Sequence, residues 1–227
     1  SMCTLLKCKG EVFYAMGKYI EAILFYEEAL DIDKNRADIL LKKGEVYNRM
    51  EMYQPAIFMY EEALRIRNDY YIAYFFIGVT YKHSNDYELA LEAFNCYINA
   101  VPKVAEAYLE RAEVLHLLQR YEEAIEDCDR AIELKPQFGN AYYRKGLILC
   151  ELGKYEEAIE ILEKLSEDEE FSDIAGYFMG VALKNLGKYE EALEYVEKYI
   201  EENPEYREPY LEKAEILIAL EKYEDAL

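Results

Sequence analysis

Little in this chain points to an extracellular or membrane-bound protein. No apolar run approaches the roughly 18 residues that a bilayer-spanning helix requires, and Ser1 to Gly10 lack the apolar core of a secretory leader. The five cysteines (Cys3, Cys8, Cys96, Cys128 and Cys150) are odd in number and form no CxxC pair. They read as reduced thiols, not as a disulfide framework. No Asn-x-Ser/Thr acceptor occurs, and a cytoplasmic protein is expected. With only five prolines there is no low-complexity linker. Positive charge is scarce: 26 basic residues stand against 47 acidic ones, a net charge of -21. Such a field repels polyphosphates and anionic lipid, which argues against nucleic acid and membrane partners, and it attracts a basic protein.

The motifs of common chemistry are missing as well. There is no HExxH, GxSxG, phosphate loop or GxGxxG. Carboxylates abound, but runs such as Glu156-Glu157-Glu160 and Glu167 to Glu170 have the pattern of solvated helix faces. Gly176-Tyr177-Phe178-Met179-Gly180 places two small residues one turn apart, which in a water-soluble helix signals close packing. The best metal set is His83, His116 and Cys150. Helices pack about 8–10 Å apart while zinc ligands lie about 2 Å from the ion, so no metal site is expected. Neither catalysis nor a cofactor is anticipated.

What is present is a period. A small residue recurs every 34 positions: Gly10, Gly44, Gly78, Ala112, Gly146, Gly180 and Ala214. Twelve residues after each comes an alanine: Ala22, Ala56, Ala90, Ala124, Ala158, Ala192 and Ala226. Three residues before each of those sits a tyrosine: Tyr19, Tyr53, Tyr87, Tyr121, Tyr155, Tyr189 and Tyr223. Each unit divides into two helical stretches. The first carries apolar residues at helical spacing, as in Tyr108, Ala112 and Leu115, and ends near Gly17, Asn85, Gly153 or Gly187, which tolerate a left-handed helix terminus. The second opens on acidic residues that favour the helix dipole. Pro102, Pro136 and Pro204 mark the unit ends. Helical hairpins of this kind bury their apolar faces only by stacking on one another.

Period and columns together resemble the tetratricopeptide repeat, most clearly in Tyr74, Ile77-Gly78, Tyr81, Ala90, Phe94 and Pro102. The resemblance covers the whole chain. It implies an all-α fold, a right-handed superhelical solenoid of antiparallel helix pairs spanning residues 1–227. The repeats fall near 3–36, 37–70, 71–104, 105–138, 139–172 and 173–206, with a partial seventh at 207–227. Tyr97, Leu165 and Tyr199 depart from the family by filling a slot usually held by alanine. Lys9, Lys43, Arg111, Lys145 and Lys213 fill the usual leucine slot, where a long stem can pack while the charge reaches water. Gly176 replaces a large residue.

A second period lies above the first. Phe76-Ile77-Gly78-Val79 matches Phe178-Met179-Gly180-Val181, Tyr97-Ile98 matches Tyr199-Ile200, and Tyr108-Leu109-Glu110 matches Tyr210-Leu211-Glu212. A three-unit block is duplicated, and with it any binding surface it carries. Ile216 to Leu220 make the seventh unit's first helix apolar nearly all round, so the chain is expected to be a fragment of a longer protein. Its exposed end predicts weak self-association through the repeat ends.

The family resemblance implies a non-catalytic protein-interaction scaffold, in which first helices line a groove that takes a peptide or helix of a partner. On this chain the groove residues are Leu41, Glu45, Ile72, Phe75, Val79, Lys82, Leu109 and Glu113, then Tyr143, Leu147, Ile174, Tyr177, Val181, Lys184 and Leu211. Phe75, Phe76, Tyr143 and Tyr177 exceed what the signature needs and are candidate anchors. The clamp of chaperone-binding members is missing, since its slots hold Lys7 and Glu11, then Lys42, then Ile72 and Phe76. The asparagine ladder of sugar-transferase members is also missing, its column holding Cys8, Lys42, Phe76, Glu110, Arg144, Phe178 and Glu212. The alternative is a regulatory or self-assembling segment of a larger protein whose catalytic or effector domain lies beyond Leu227.

Overall fold

The computed structural model describes residues Ser1 to Glu221, which form thirteen α-helices and no strand. They fall into two compact units that divide between Leu118 and Gln119. The first unit holds α1 (Met2–Ala15), α2 (Tyr19–Ile32), α3 (Ala37–Arg49), α4 (Tyr53–Ile66), α5 (Ile72–His83), α6 (Tyr87–Ala100) and α7 (Ala105–Leu117). The second holds α8 (Tyr121–Leu134), α9 (Gly139–Glu151), α10 (Tyr155–Ser166), α11 (Ser172–Asn185), α12 (Tyr189–Glu202) and α13 (Glu208–Ala219). Within each unit a helix packs on its neighbours one and two places along the chain, and the described residues form no more distant pairing. The tyrosine column supplies the first residue of every second helix, from Tyr19 to Tyr189. Tyr223 and Ala226 lie outside the described residues.

The turn inside each hairpin is built by one device. The residue 34 positions apart at Gly17, Glu51, Asn85, Gln119, Gly153, Gly187 and Glu221 has a positive φ, between 58° and 77°. The amide two places past the helix cap then reaches back to a carbonyl of the last turn: Lys18 to Phe13, Met52 to Tyr47, Asp86 to Tyr81, Lys154 to Leu149 and Lys188 to Leu183, at 2.9–3.0 Å. This is a Schellman motif, and it satisfies carbonyls that a helix end leaves open. The sequence shows the slot wherever it holds Gly or Asn. Glu51, Gln119 and Glu221 adopt the same strained conformation without a glycine.

Hairpins close on the small-residue column. A Cβ added at Gly10 or Gly44 would fall 2.4 Å from the ring of Tyr26 or Tyr60, and at Gly78 it would fall 2.8 Å from Phe94. Each partner lies sixteen residues on, in the second helix, and each is fully buried. The alanine column (Ala22, Ala56, Ala90, Ala124, Ala158, Ala192) is also completely buried, because a larger side chain there would hold the two backbones apart.

The departures from the family pattern find partners. Tyr97 is buried against Phe75, and the ring of Tyr199 lies tilted against that of Tyr177. Lys43 pairs with Glu27 at 2.8 Å, Lys145 with Asp129 at 2.6 Å and Lys213 with Glu197 at 2.8 Å, and Arg111 donates to Asn95 at 2.7 Å. Each partner sits sixteen residues earlier, on the preceding second helix. Lys9 instead lies over the ring of Phe25. The charges in this column therefore bridge helices where the sequence suggested free solvation. At Gly176 the missing side chain is replaced by Tyr195 from α12, 3.6 Å from where a Cβ would stand.

Candidate partner-binding surface

In unit 1 the first helices α1, α3, α5 and α7 are successive neighbours. Ile72, Phe75, Val79 and Lys82 recur at helical spacing and share one face of α5. Ile174, Tyr177, Val181 and Lys184 do the same on α11 in unit 2. All eight are half-buried, as are Glu45 on α3, Leu109 and Glu113 on α7, and Tyr143 and Leu147 on α9. Leu211 on α13 is 66% exposed. Leu41 differs: it is only 6% exposed and packs with Ala56, Tyr60, Ala73 and Ile77. The alanine at position 73 leaves room that Leu41 fills, so this side chain serves the core between repeats two and three.

A cleft of about 650 Å³ opens on the first-helix face of unit 1. Its walls are Tyr14 of α1, Glu45, Asn48 and Arg49 of α3, Phe75, Phe76, Val79 and His83 of α5, and Glu110 of α7, with Glu51 and Tyr53 at the turn. Four first helices thus converge on one concavity, with apolar rings inside and charges of both signs around it. The rings are held from behind. Phe76 stacks on Tyr60 with centroids 5.7 Å apart, and Phe75 meets Phe76, Phe94 and Tyr97 at 5.5–5.8 Å. In unit 2, Tyr177 contacts Phe178 at 5.3 Å and Tyr199 at 4.9 Å, while Phe178 meets Tyr143 at 5.9 Å. Burial pushes the Tyr177 hydroxyl up to about 12, and the nearby Glu212 and Glu208 act in the same direction.

The two groove lysines are clasped. Lys82 Nζ lies 2.7 Å from Glu110 and 2.8 Å from Glu113, both on α7. Lys184 Nζ lies 2.6 Å from Glu212 and 2.5 Å from Glu215, both on α13. Burial by itself would lower each ammonium's pKa, but the paired carboxylates outweigh it and hold both above the ordinary lysine value. Glu110, Glu212 and Glu215 were not singled out from the sequence as clasp residues. The signal was present in their 102-residue recurrence alongside the lysines. Elsewhere on this face Lys7 bridges to Asp38 at 3.0 Å, and Lys42 to Glu45 at 2.9 Å. The Arg36 guanidinium, despite partial burial of the carboxyl, holds Asp38 well below the usual carboxylate range.

Among the described residues no three His, Cys, Asp or Glu side chains are placed to hold a metal ion. His83 faces the groove cleft with its Nδ1 3.4 Å from Asn48 Oδ1. Cys150 is half-buried, and burial raises its thiol to about 11. Cys128 is fully buried and raised to about 12 by the same cause. All five cysteines are free. No helix of the described residues is long and apolar enough to cross a membrane.

Tetratricopeptide-repeat models match residues 1–69, 71–98, 105–138 and 185–227. A model of anaphase-promoting complex, cyclosome, subunit 3 matches residues 127–199. No curated protein matches the chain. Among solved structures, MamA is 26% identical with a TM-score of 0.65, covering 72% of this chain and 95% of its own. YrrB is 22% identical with a TM-score of 0.68, covering 88% and 97%. A tetratricopeptide repeat protein from Parabacteroides merdae is 21% identical with a TM-score of 0.76, covering 99% and 89%. The tetratricopeptide-repeat matches coincide with the 34-residue spacing of turns, small residues and tyrosines, and the chain belongs to the tetratricopeptide-repeat family.

Proposed function

We propose that the chain is a non-catalytic, cytoplasmic scaffold whose first-helix faces bind a peptide or helical segment of another protein. The observation that carries this reading is the cleft of about 650 Å³ in unit 1, where Phe75, Phe76 and Val79 stand inside a rim of polar and charged groups. An apolar floor with a few fixed polar groups is the general form of a recognition site. Rings already braced by Tyr60, Phe94 and Tyr97 lose little conformational freedom when a ligand lands on them. YrrB, a tetratricopeptide-repeat protein with an unusual peptide-binding site, supports the reading by sharing the fold. The net charge of -21 favours a basic partner.

A photo-crosslinking amino acid at position 79 tests this. In the protein's native cells it should form a covalent adduct with a discrete partner peptide. The same group at Phe58, which is exposed on α4, serves as the control. Equal labelling from positions 58 and 79, or none from 79, overturns the reading.

A further inference from the structure

The same constellation stands in each unit, 102 residues apart. Phe75 and Phe76, backed by Tyr97, correspond to Tyr177 and Phe178, backed by Tyr199. Val79 corresponds to Val181. Lys82 clasped by Glu110 and Glu113 corresponds to Lys184 clasped by Glu212 and Glu215. The fold itself does not require this arrangement. The column that contains the two lysines reads Tyr14, Asn48, Lys82, His116, Cys150, Lys184 and Ile218. The column of the inner carboxylate reads Cys8, Lys42, Phe76, Glu110, Arg144, Phe178 and Glu212. Repeats fold with many side chains at these positions, yet the lysine and its two acids occur together twice, each time beside an aromatic pair.

We infer, resting on the reading above, that each unit holds one docking subsite for an extended peptide segment. The segment pairs an apolar side chain with a basic one three residues away, and the chain binds two such segments. The spacing follows from the helix. Phe75 and Lys82 are seven residues apart, about 10 Å along α5 at a 1.5 Å rise. An extended peptide advances about 3.3 Å per residue, so three residues cover that distance. The sign follows from the charges. Each clasp sets two carboxylates against one ammonium, and Glu215 is 64% exposed, so an incoming cation need not be buried to reach it. Residues from Gln119 onward carry 13 basic against 29 acidic side chains, and residues up to Leu118 carry 13 against 18. In both units the surrounding field favours a basic ligand. The clasp lysine acts as a positioning residue that fixes the carboxylates of the next first helix at the far end of the subsite.

Titration calorimetry with a capped ten-residue peptide tests this, the peptide carrying Phe and, three positions on, Arg in a Gly/Ser background. The wild-type chain should bind two peptides. Phe75→Glu and Tyr177→Glu should each leave one, and the double variant none. Val79→Lys and Val181→Lys repeat the test without touching the braced rings, with circular dichroism confirming the fold. A control peptide with Glu in place of Arg should bind at least tenfold more weakly. A stoichiometry of one, or sensitivity to variants in one unit only, overturns the duplication while leaving the partner-binding reading to its crosslink from position 79. No saturable binding by the wild type, or equal binding of the Glu peptide, overturns the assigned motif.

Discussion

Gly44 lies face to face with the ring of Tyr60, so closely that a Cβ at Gly44 would stand 2.4 Å from Cε1 and 2.8 Å from Cδ1. Tyr60 is fully buried and has no room to retreat. Alanine at position 44 would gain up to about 1 kcal/mol in helix propensity, but overpacking of this kind costs about 1–3 kcal/mol. Gly44→Ala is therefore expected to destabilise unit 1 by about 1–2 kcal/mol, and Tyr60→Leu in the same chain should restore most of the loss. Urea denaturation of the single and double variants measures both effects. An unchanged midpoint for Gly44→Ala would show that the ring yields freely.

The hydroxyl of Tyr26 is buried with no hydrogen-bond partner among the described residues. Burial also drives its pKa well above the ordinary tyrosine value. The equivalent position two repeats on holds Phe94, which fills the same site without a polar atom. Replacing an unsatisfied buried hydroxyl by hydrogen should stabilise by about 1 kcal/mol. Tyr26→Phe is expected to raise the melting temperature, and a fall would reveal a compensating contact of the hydroxyl.

Glu51 adopts a φ of 58° in a slot that Gly17, Gly153 and Gly187 occupy without strain. A left-handed conformation costs a non-glycine residue about 1–2 kcal/mol, partly offset by the greater freedom glycine gives the unfolded chain, about 0.4–1 kcal/mol. Glu51→Gly should stabilise by about 0.5 kcal/mol, and Gly153→Ala should destabilise by about 1 kcal/mol. Thermal melts should shift in opposite directions. Shifts of the same sign would mean that the turn is not governed by backbone strain.

The side chain of Lys82 is only 14% exposed between its two glutamates. Lys82→Gln leaves two carboxylates facing each other and should destabilise by about 1–3 kcal/mol, less at high salt. The pH dependence has a definite sign. The folded pKa of Lys82 is raised, so the clasp's contribution is complete below the unfolded value near 10.5 and disappears as pH climbs through the folded value. Wild-type stability should fall above about pH 10.5 by an increment missing in the variant. Parallel alkaline limbs would argue against the clasp.

The repeat frame was legible in the sequence because it depends on residue types that few alternatives can replace. Only small residues fit beneath Tyr26, Tyr60 and Phe94, and glycine or asparagine betrays a left-handed turn. The turn at Glu51 left no such trace, since a glutamate there looks like any helix-terminal residue. The candidate surface was legible in its location more than in its wiring. The family resemblance points to Phe75, Val79, Tyr177 and Val181, and helical spacing puts each pair on one face of its helix. That Leu41 is covered depends on the size of Ala73 in the next repeat, and that Lys82 is held by Glu110 and Glu113 depends on the pitch between adjacent hairpins. Neither is visible from one helix. The bridges from Lys43 to Glu27 and from Lys145 to Asp129 were hidden for the same reason.

Because every helix within a unit packs only on helices one or two places away, almost all contacts can form soon after the residues involved leave the ribosome. Neighbouring hairpins can then zip up in sequence, and a lesion in one should loosen its immediate vicinity before it is felt farther along. Amide exchange should therefore grade along each unit in place of a single all-or-none opening. An array assembled this way can tolerate the loss or gain of a whole hairpin more readily than the misplacement of one turn.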